Sequence, residues 1–152
     1  MEYENFENEF NSLLVETFHN ILKTEMQLIN NITKTELSMR EIHLIEVVSK
    51  KNITISDIAK NFEITNASVT VMVNKLADAG YITKQKGTQD ARNIFLKLTE
   101  KGEAINLEHY NFHKKMIEKI SKNFTGLERE VLYSSVKALN ELFLQQFDHL
   151  LE

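Results

Sequence analysis

Apolar residues recur at steps of three and four over about residues 5–32 (Phe6, Phe10, Leu13, Leu14, Phe18, Ile21, Leu22, Leu28, Ile29, Ile32). That spacing marks one face of a long amphipathic helix. Ser38-Met39-Arg40-Glu41 has the form of a capping box and opens a second helix to about Ser49, with Ile42, Ile45 and Val48 on one side. A short β-branched run, Asn52–Ile55, precedes Ser56, which the pattern makes the cap of a short helix from Asp57 to Phe62, with Asp57 set against the helix dipole. After the turn Glu63-Ile64-Thr65, a helix from Asn66 to Ala79 buries Val69, Val73 and Leu76, with Met72 at the margin, and Gly80 closes it. Tyr81–Lys86 and Asn93–Leu98 read as two strands joined by the polar loop Gly87–Arg92. Thr99 caps a long helix to about Lys122 with Ile105, Phe112, Met116 and Ile120 as its stripe. Thr125-Gly126-Leu127-Glu128 is a second capping box, and it starts a last helix along Val131, Leu132, Leu139, Leu142, Phe143, Phe147 and Leu150.

This order predicts a mainly α fold with a small β wing: a winged helix-turn-helix over residues 36–98, with residues 1–35 and 99–152 forming long N- and C-terminal dimerisation helices. The absence of proline fits long unbroken helices. Phe6, Phe10, Phe143, Phe147, Leu150 and Leu151 crowd the two chain ends, where one small domain has little to cover them. A two-fold homodimer is therefore expected.

Charge sharpens the picture. The net charge of −4 is wrong for a nucleic-acid binder taken as an average, but residues 50–102 hold nine Lys/Arg against five Asp/Glu. A basic middle between acidic ends suits a polyanion bound at one place. With no cysteine there is no disulfide and no thiolate metal site. The acidic start lacks the layout of a signal peptide, and no apolar run is long enough to span a bilayer, so a cytoplasmic protein without membrane contact is expected. No phosphate loop, Ser-His-Asp spacing or thiol nucleophile is present, so an enzyme is not expected.

In a helix-turn-helix the second helix offers its outward, N-terminal residues to the major groove. Here the outward set is Asn66, Ser68, Thr70, Val71, Asn74 and Lys75. Hydroxyl and amide groups suit phosphates and base edges, and Val71 suits a thymine methyl. The set holds no arginine, which shifts specificity toward DNA shape. On the wing, Lys84 and Lys86 alternate toward the phosphate backbone, and Asp90 can orient Arg92 for a narrow minor groove. A winged helix that serves as a protein-interaction module without DNA binding is the alternative left open.

Thr54-Ile-Ser-Asp-Ile-Ala59, Ser68-Val-Thr70, Asn74-Lys-Leu-Ala-Asp-Ala-Gly80-Tyr-Ile82, Asp90-Ala-Arg92 and Leu96-Lys-Leu-Thr-Glu-Lys-Gly102 together resemble the MarR family of bacterial transcription regulators. The resemblance covers essentially the whole chain. It implies a homodimeric repressor binding a pseudo-palindromic operator in double-stranded DNA, with Ser68, Thr70 and Lys75 on the recognition helix and Arg92 at the wing tip. Many members have arginine where this chain has Val71, which bears on the operator sequence.

The effector has two readings, and a regulator with another ligand or none is also left open; no required cofactor is expected. His109-x-x-x-His113 puts two imidazoles on one helical face, adequate for a metal, although such pairs are more often solvated. By resemblance, Glu25, His43, His109 and His113 align with one zinc site of the zinc-responsive streptococcal MarR subgroup. The segments Phe18-His-Asn-Ile-Leu22, Met39-Arg-Glu-Ile-His43-Leu-Ile-Glu46 and Phe112-His113-Lys114 are nearer to the subgroup that represses fatty-acid synthesis genes. That likeness implies an acyl-type ligand, with acylated carrier protein as partner, and an apolar pocket lined by Phe18, Ile21, Leu22 and Phe112.

Overall fold

The computed structural model describes residues 3–50, 53–86 and 94–146, and the chain separates into two compact units, residues 1–112 and 113–152. The first unit opens with α1 (Tyr3–Thr33), whose end is fixed by local chemistry. Thr33 Oγ1 donates to the Ile29 carbonyl at 2.7 Å, and Lys34 follows in the left-handed region at φ 55°. Asn30 then organises the turn: its Nδ2 donates to the Leu37 carbonyl at 2.8 Å, while its Oδ1 accepts from Leu37 N at 2.9 Å and Thr35 Oγ1 at 2.7 Å. One amide thereby satisfies both backbone groups of Leu37 across the turn.

α2 (Met39–Ser49) begins with the expected capping box. The Ser38 hydroxyl accepts from Glu41 N, and the Glu41 carboxylate accepts from Ser38 N at 2.8 Å. α3 (Ile55–Phe62) starts two residues before the expected position. Thr54, not Ser56, is the cap, and the carboxylate of Asp57 accepts from Thr54 N at 2.9 Å and from Thr54 Oγ1 at 2.6 Å. Those bonds hold the Asp57 carboxyl below its usual range. The physical reason is spacing: Asp57 is three residues after Thr54, the reach a reciprocal cap requires. Ser56 is simply an exposed residue of the first turn.

The turn of the helix-turn-helix is made by Glu63, a non-glycine residue at φ 53°, which lets Ile64 N bond back to the Ala59 carbonyl at 3.0 Å. Thr65 caps α4 (Asn66–Asp78) by accepting from Ser68 N at 3.2 Å. Gly80, at φ 79°, closes α4 as expected. β1 (Ile82–Lys86) and β2 (Ile94–Leu98) pair antiparallel, with Ile82 opposite Leu98 and Lys86 opposite Ile94. The β-branched run before α3 joins this sheet: Thr54 bridges Phe95, and Leu96 N donates to the Ile53 carbonyl at 3.1 Å. Tyr81 stands outside the strand, its nitrogen bonded to the Leu76 carbonyl at 2.8 Å.

Thr99 caps α5 (Glu100–Asn123) by accepting from Gly102 N at 3.2 Å. One apolar core unites Ile29 of α1, Ile42 and Ile45 of α2, Ile58 of α3, Val69, Val73 and Leu76 of α4, Ile82 of β1, Leu96 of β2 and Ile105 of α5. Burying each such side chain contributes roughly 1.5–3 kcal/mol, and together they hold α4 by its inner face alone.

The second unit contains the C-terminal part of α5 from His113 and α6 (Gly126–Gln146). The second capping box is formed, with Glu128 accepting from Thr125 N at 2.7 Å and Thr125 Oγ1 at 2.8 Å. Leu127, Val131, Leu132, Tyr133, Val136, Leu142, Phe143 and Leu144 of α6 are all exposed. Among the described residues no helix is long and apolar enough to cross a membrane.

Candidate functional site

Two sites rise from this scaffold: the outer face of α4 with the neighbouring wing, and a buried cluster between α1, α2 and α5. On α4 the core residues Val69, Val73 and Leu76 point inward, which leaves Asn66, Ser68, Val71, Asn74 and Lys75 exposed. Val71 is 68% exposed, the one large apolar side chain of this helix that stands open. Thr70, expected on the outward face, is only half-exposed, because its hydroxyl turns back to the Asn66 carbonyl at 2.7 Å. Ser68 Oγ lies 2.9 Å from Thr65 Oγ1.

The polar residues of the helix's far half are engaged within the chain. Lys75 Nζ lies 2.6 Å from Glu41 Oε1, joining α4 to the first turn of α2. The Glu41 side chain is 6% exposed, and burial acts to raise its carboxyl. Hydrogen bonds from Lys75 and from the Ser38 backbone and hydroxyl outweigh that effect and hold it below the usual range. Lys84 of β1 donates to Asn74 Oδ1, tying wing to helix. Behind them, Lys101 donates to the Ala79 carbonyl at 2.9 Å and lies over the Tyr81 ring, so the start of α5 is fastened to the end of α4. Asp90, Arg92 and the side chain of Lys86 lie outside the described residues.

The second site brings together three residues expected to share a metal. Glu25 of α1, His43 of α2 and His109 of α5 each offer a ligand atom, all within 4.8 Å of one another. His109 Nε2 is 2.9 Å from Glu25 Oε1, and the His43 and His109 rings meet edge to face with centroids 5.5 Å apart. Glu25 is 1% exposed and His109 5%. Two imidazole nitrogens and a carboxylate oxygen are a donor set that suits zinc, whose tetrahedral ligands stand about 3.3 Å apart. The three residues fit such an ion in donor type, with separations of up to 4.8 Å to close. His113, one turn further along α5, belongs to the second unit and is not among the three.

The residues expected to line an apolar pocket are split by burial. Phe112 is buried and Ile21 half-buried, whereas Phe18 is 57% exposed and Leu22 39%. Sequence reasoning missed the Glu41–Lys75 and Asn74–Lys84 contacts. Glu41 carried a signal only for its local capping role.

A capped helix-turn-helix with an adjoining antiparallel wing, its second helix projecting a polar face, defines a winged-helix transcriptional regulator. A MarR family model matches residues 37–94. Among solved structures, FabT of Streptococcus pneumoniae in complex with DNA superposes with a TM-score of 0.83 at 32% identity, covering 93% of this chain and 99% of that one. The transcriptional regulator AdcR of the same species is 29% identical over 126 residues, 78% of this chain and 86% of that protein. The transcriptional regulator ZitR of Lactococcus lactis is 27% identical over 131 residues, 84% of this chain and 87% of that protein. The chain belongs to the MarR family.

Proposed function

We propose that this protein is a repressor that binds a pseudo-palindromic operator as a homodimer, inserting α4 of each copy into the major groove and the Arg92 wing tip beside it. The observation that carries this reading is the exposed face of α4, where Asn66, Ser68 and Val71 stand clear of the core on a helix braced from behind. The likeness to a protein crystallised with DNA supports it. The eight exposed apolar side chains of α6 support a symmetric mate, since patches of that extent are rare on monomers.

Binding to duplex DNA is expected to weaken steeply with salt, the logarithmic slope counting released counterions at about 0.9 per phosphate contact. Arg92→Ala is expected to lower affinity by roughly tenfold, in keeping with about 1–3 kcal/mol for a specific groove contact. Fluorescence anisotropy against KCl measures both. Salt-independent binding, or an Arg92→Ala variant as tight as wild type, would refute the reading.

For the effector, the geometry of Glu25, His43 and His109 favours a divalent ion such as zinc. When bound, the ion supplies a cross-link between three helices and no reaction chemistry. The chain's own part is to hold α1, α2 and α5 at one spacing, which biases the distance between recognition helices in a dimer. A second reading is favoured by the exposure of Phe18 and Leu22 together with the resemblance to the fatty-acid-synthesis subgroup: an acyl chain covering that apolar face, with control of fatty-acid synthesis genes. Native mass spectrometry of the purified protein separates them, since a retained zinc ion adds about 65 Da and an acyl chain several times more.

A further inference from the structure

The outward face of the recognition helix exposes Asn66, Ser68, Val71, Asn74 and Lys75, yet its two halves differ in what those residues are doing. In the C-terminal half, Lys75 lies 2.6 Å from Glu41 and Asn74 accepts from Lys84. Glu41 is unusually well fixed for a pairing carboxylate: Oε2 accepts from both Ser38 N and Ser38 Oγ at 2.8 Å, leaving Oε1 aimed at Lys75. The entropy of ordering that side chain is already spent in the capping box, so the pair forms with less loss than an ordinary surface bridge. The Lys75 side chain is itself 69% exposed, but its carboxylate partner is 6% exposed, so a Lys75 that turned to a phosphate would leave Glu41 with its Ser38 bonds alone. The N-terminal half is different, with Asn66, Ser68 and Val71 exposed and no partner in α2 or the wing among the described contacts.

We propose that the recognition helix reads DNA only with its first two turns, through Asn66, Ser68 and Val71, and that Lys75 is a positioning residue. Glu41 holds it to fix the angle of α4 against α2, and Lys84 does the same from the wing through Asn74. Lysine at this place thus sets how the reading face is presented and contributes no phosphate contact. This rests on the DNA-binding reading above.

The test uses the full-length protein and a 40-bp duplex that the wild type enriches from a random pool. Binding is measured against KCl for Lys75→Met, Glu41→Gln, the double variant and Lys75→Arg. Glutamine keeps the capping box, which accepts either residue. Lys75→Met and Glu41→Gln are each expected to weaken binding by roughly tenfold, and the double variant no further, because both remove one interaction. The salt slope and the selected bases are expected to stay as in wild type, and Lys75→Arg to restore affinity. A Lys75→Met slope shallower by about 0.9, with Glu41→Gln binding undiminished, would overturn the proposal and make Lys75 a phosphate contact. Should the wild type enrich no duplex, the DNA-binding reading fails instead. The pair then still faces the melting midpoint: each single variant is expected to fall by about 2–4 °C with the double no lower, and additive losses would overturn it.

Discussion

Replacing Gly102 by alanine is expected to lower the stability of the protein by about 3 kcal/mol. A Cβ at this position would stand 2.3 Å from the Tyr81 carbonyl oxygen, with Leu98 side-chain atoms at 3.2 and 3.3 Å. The carbonyl cannot give way cheaply, because it accepts from Thr99 N at 3.0 Å and Tyr81 N is itself bonded to Leu76. Relief must come from lifting the first turn of α5, which would strain the Lys101 bond to Ala79 and loosen the end of α4. At about 2–4 °C per kcal/mol for a chain of this size, the thermal midpoint should fall by roughly 6–12 °C at fixed protein concentration. Two companions calibrate the effect. Gly80→Ala meets no atom within 4 Å but forces φ 79° on a residue with a side chain, at a cost of about 1–2 kcal/mol. Gly126→Ala also meets nothing and has no such φ, so it should be near neutral. A Gly102→Ala midpoint no lower than that of Gly80→Ala would mean the seam between Tyr81 and α5 yields easily.

His109→Ala is expected to be as damaging, by about 3 kcal/mol, from the cavity it opens and the hydrogen bond it removes. It removes the imidazole that lies 2.9 Å from Glu25 Oε1 and opens a cavity beside a residue that is 1% exposed. Adding Glu25→Gln to that variant should recover part of the loss, since an amide carries no charge to bury and can both donate and accept beside the space left behind. The same pair of proteins tests the metal reading through stability alone. Zinc at a hundred times its dissociation constant stabilises a folded site by about 2.7 kcal/mol, so the wild-type midpoint should rise with zinc while that of His109→Ala stays put. A midpoint insensitive to the substitution would show that the buried contact has no structural weight. Equal zinc responses in both proteins would move the ion elsewhere.

What could be read from the sequence was whatever acts within one helical turn. Ser38 with Glu41 and Thr125 with Glu128 are three-residue signals, and both caps form as read. Thr54 is hidden from the pattern because it falls in the β-branched run Asn52–Ile55, which reads as extended and puts the cap at Ser56. Its partner at the third position is also aspartate, a shorter acid than the Glu or Gln the motif favours. The periodicity of α4 separated its buried Val69, Val73 and Leu76 from its outer face correctly. Periodicity has no means of showing that Thr70 folds its hydroxyl back onto Asn66, or that Lys75 is held by a residue 34 positions earlier. Similarly, Glu25, His43 and His109 come from three helices with no local pattern linking them. A family resemblance grouped them, and the packing of α1, α2 and α5 brings their donor atoms together.

The open apolar surface of α6 has a genetic consequence if it is the seam between copies. A protein with a ruined reading face but an intact last helix would still pair, and every mixed pair would carry only one functional arm. Such an allele should interfere with the normal gene in the same cell: at equal expression three quarters of random pairs would be impaired. A lesion in α6 itself, by contrast, would be recessive, because the damaged chain would find no one to spoil.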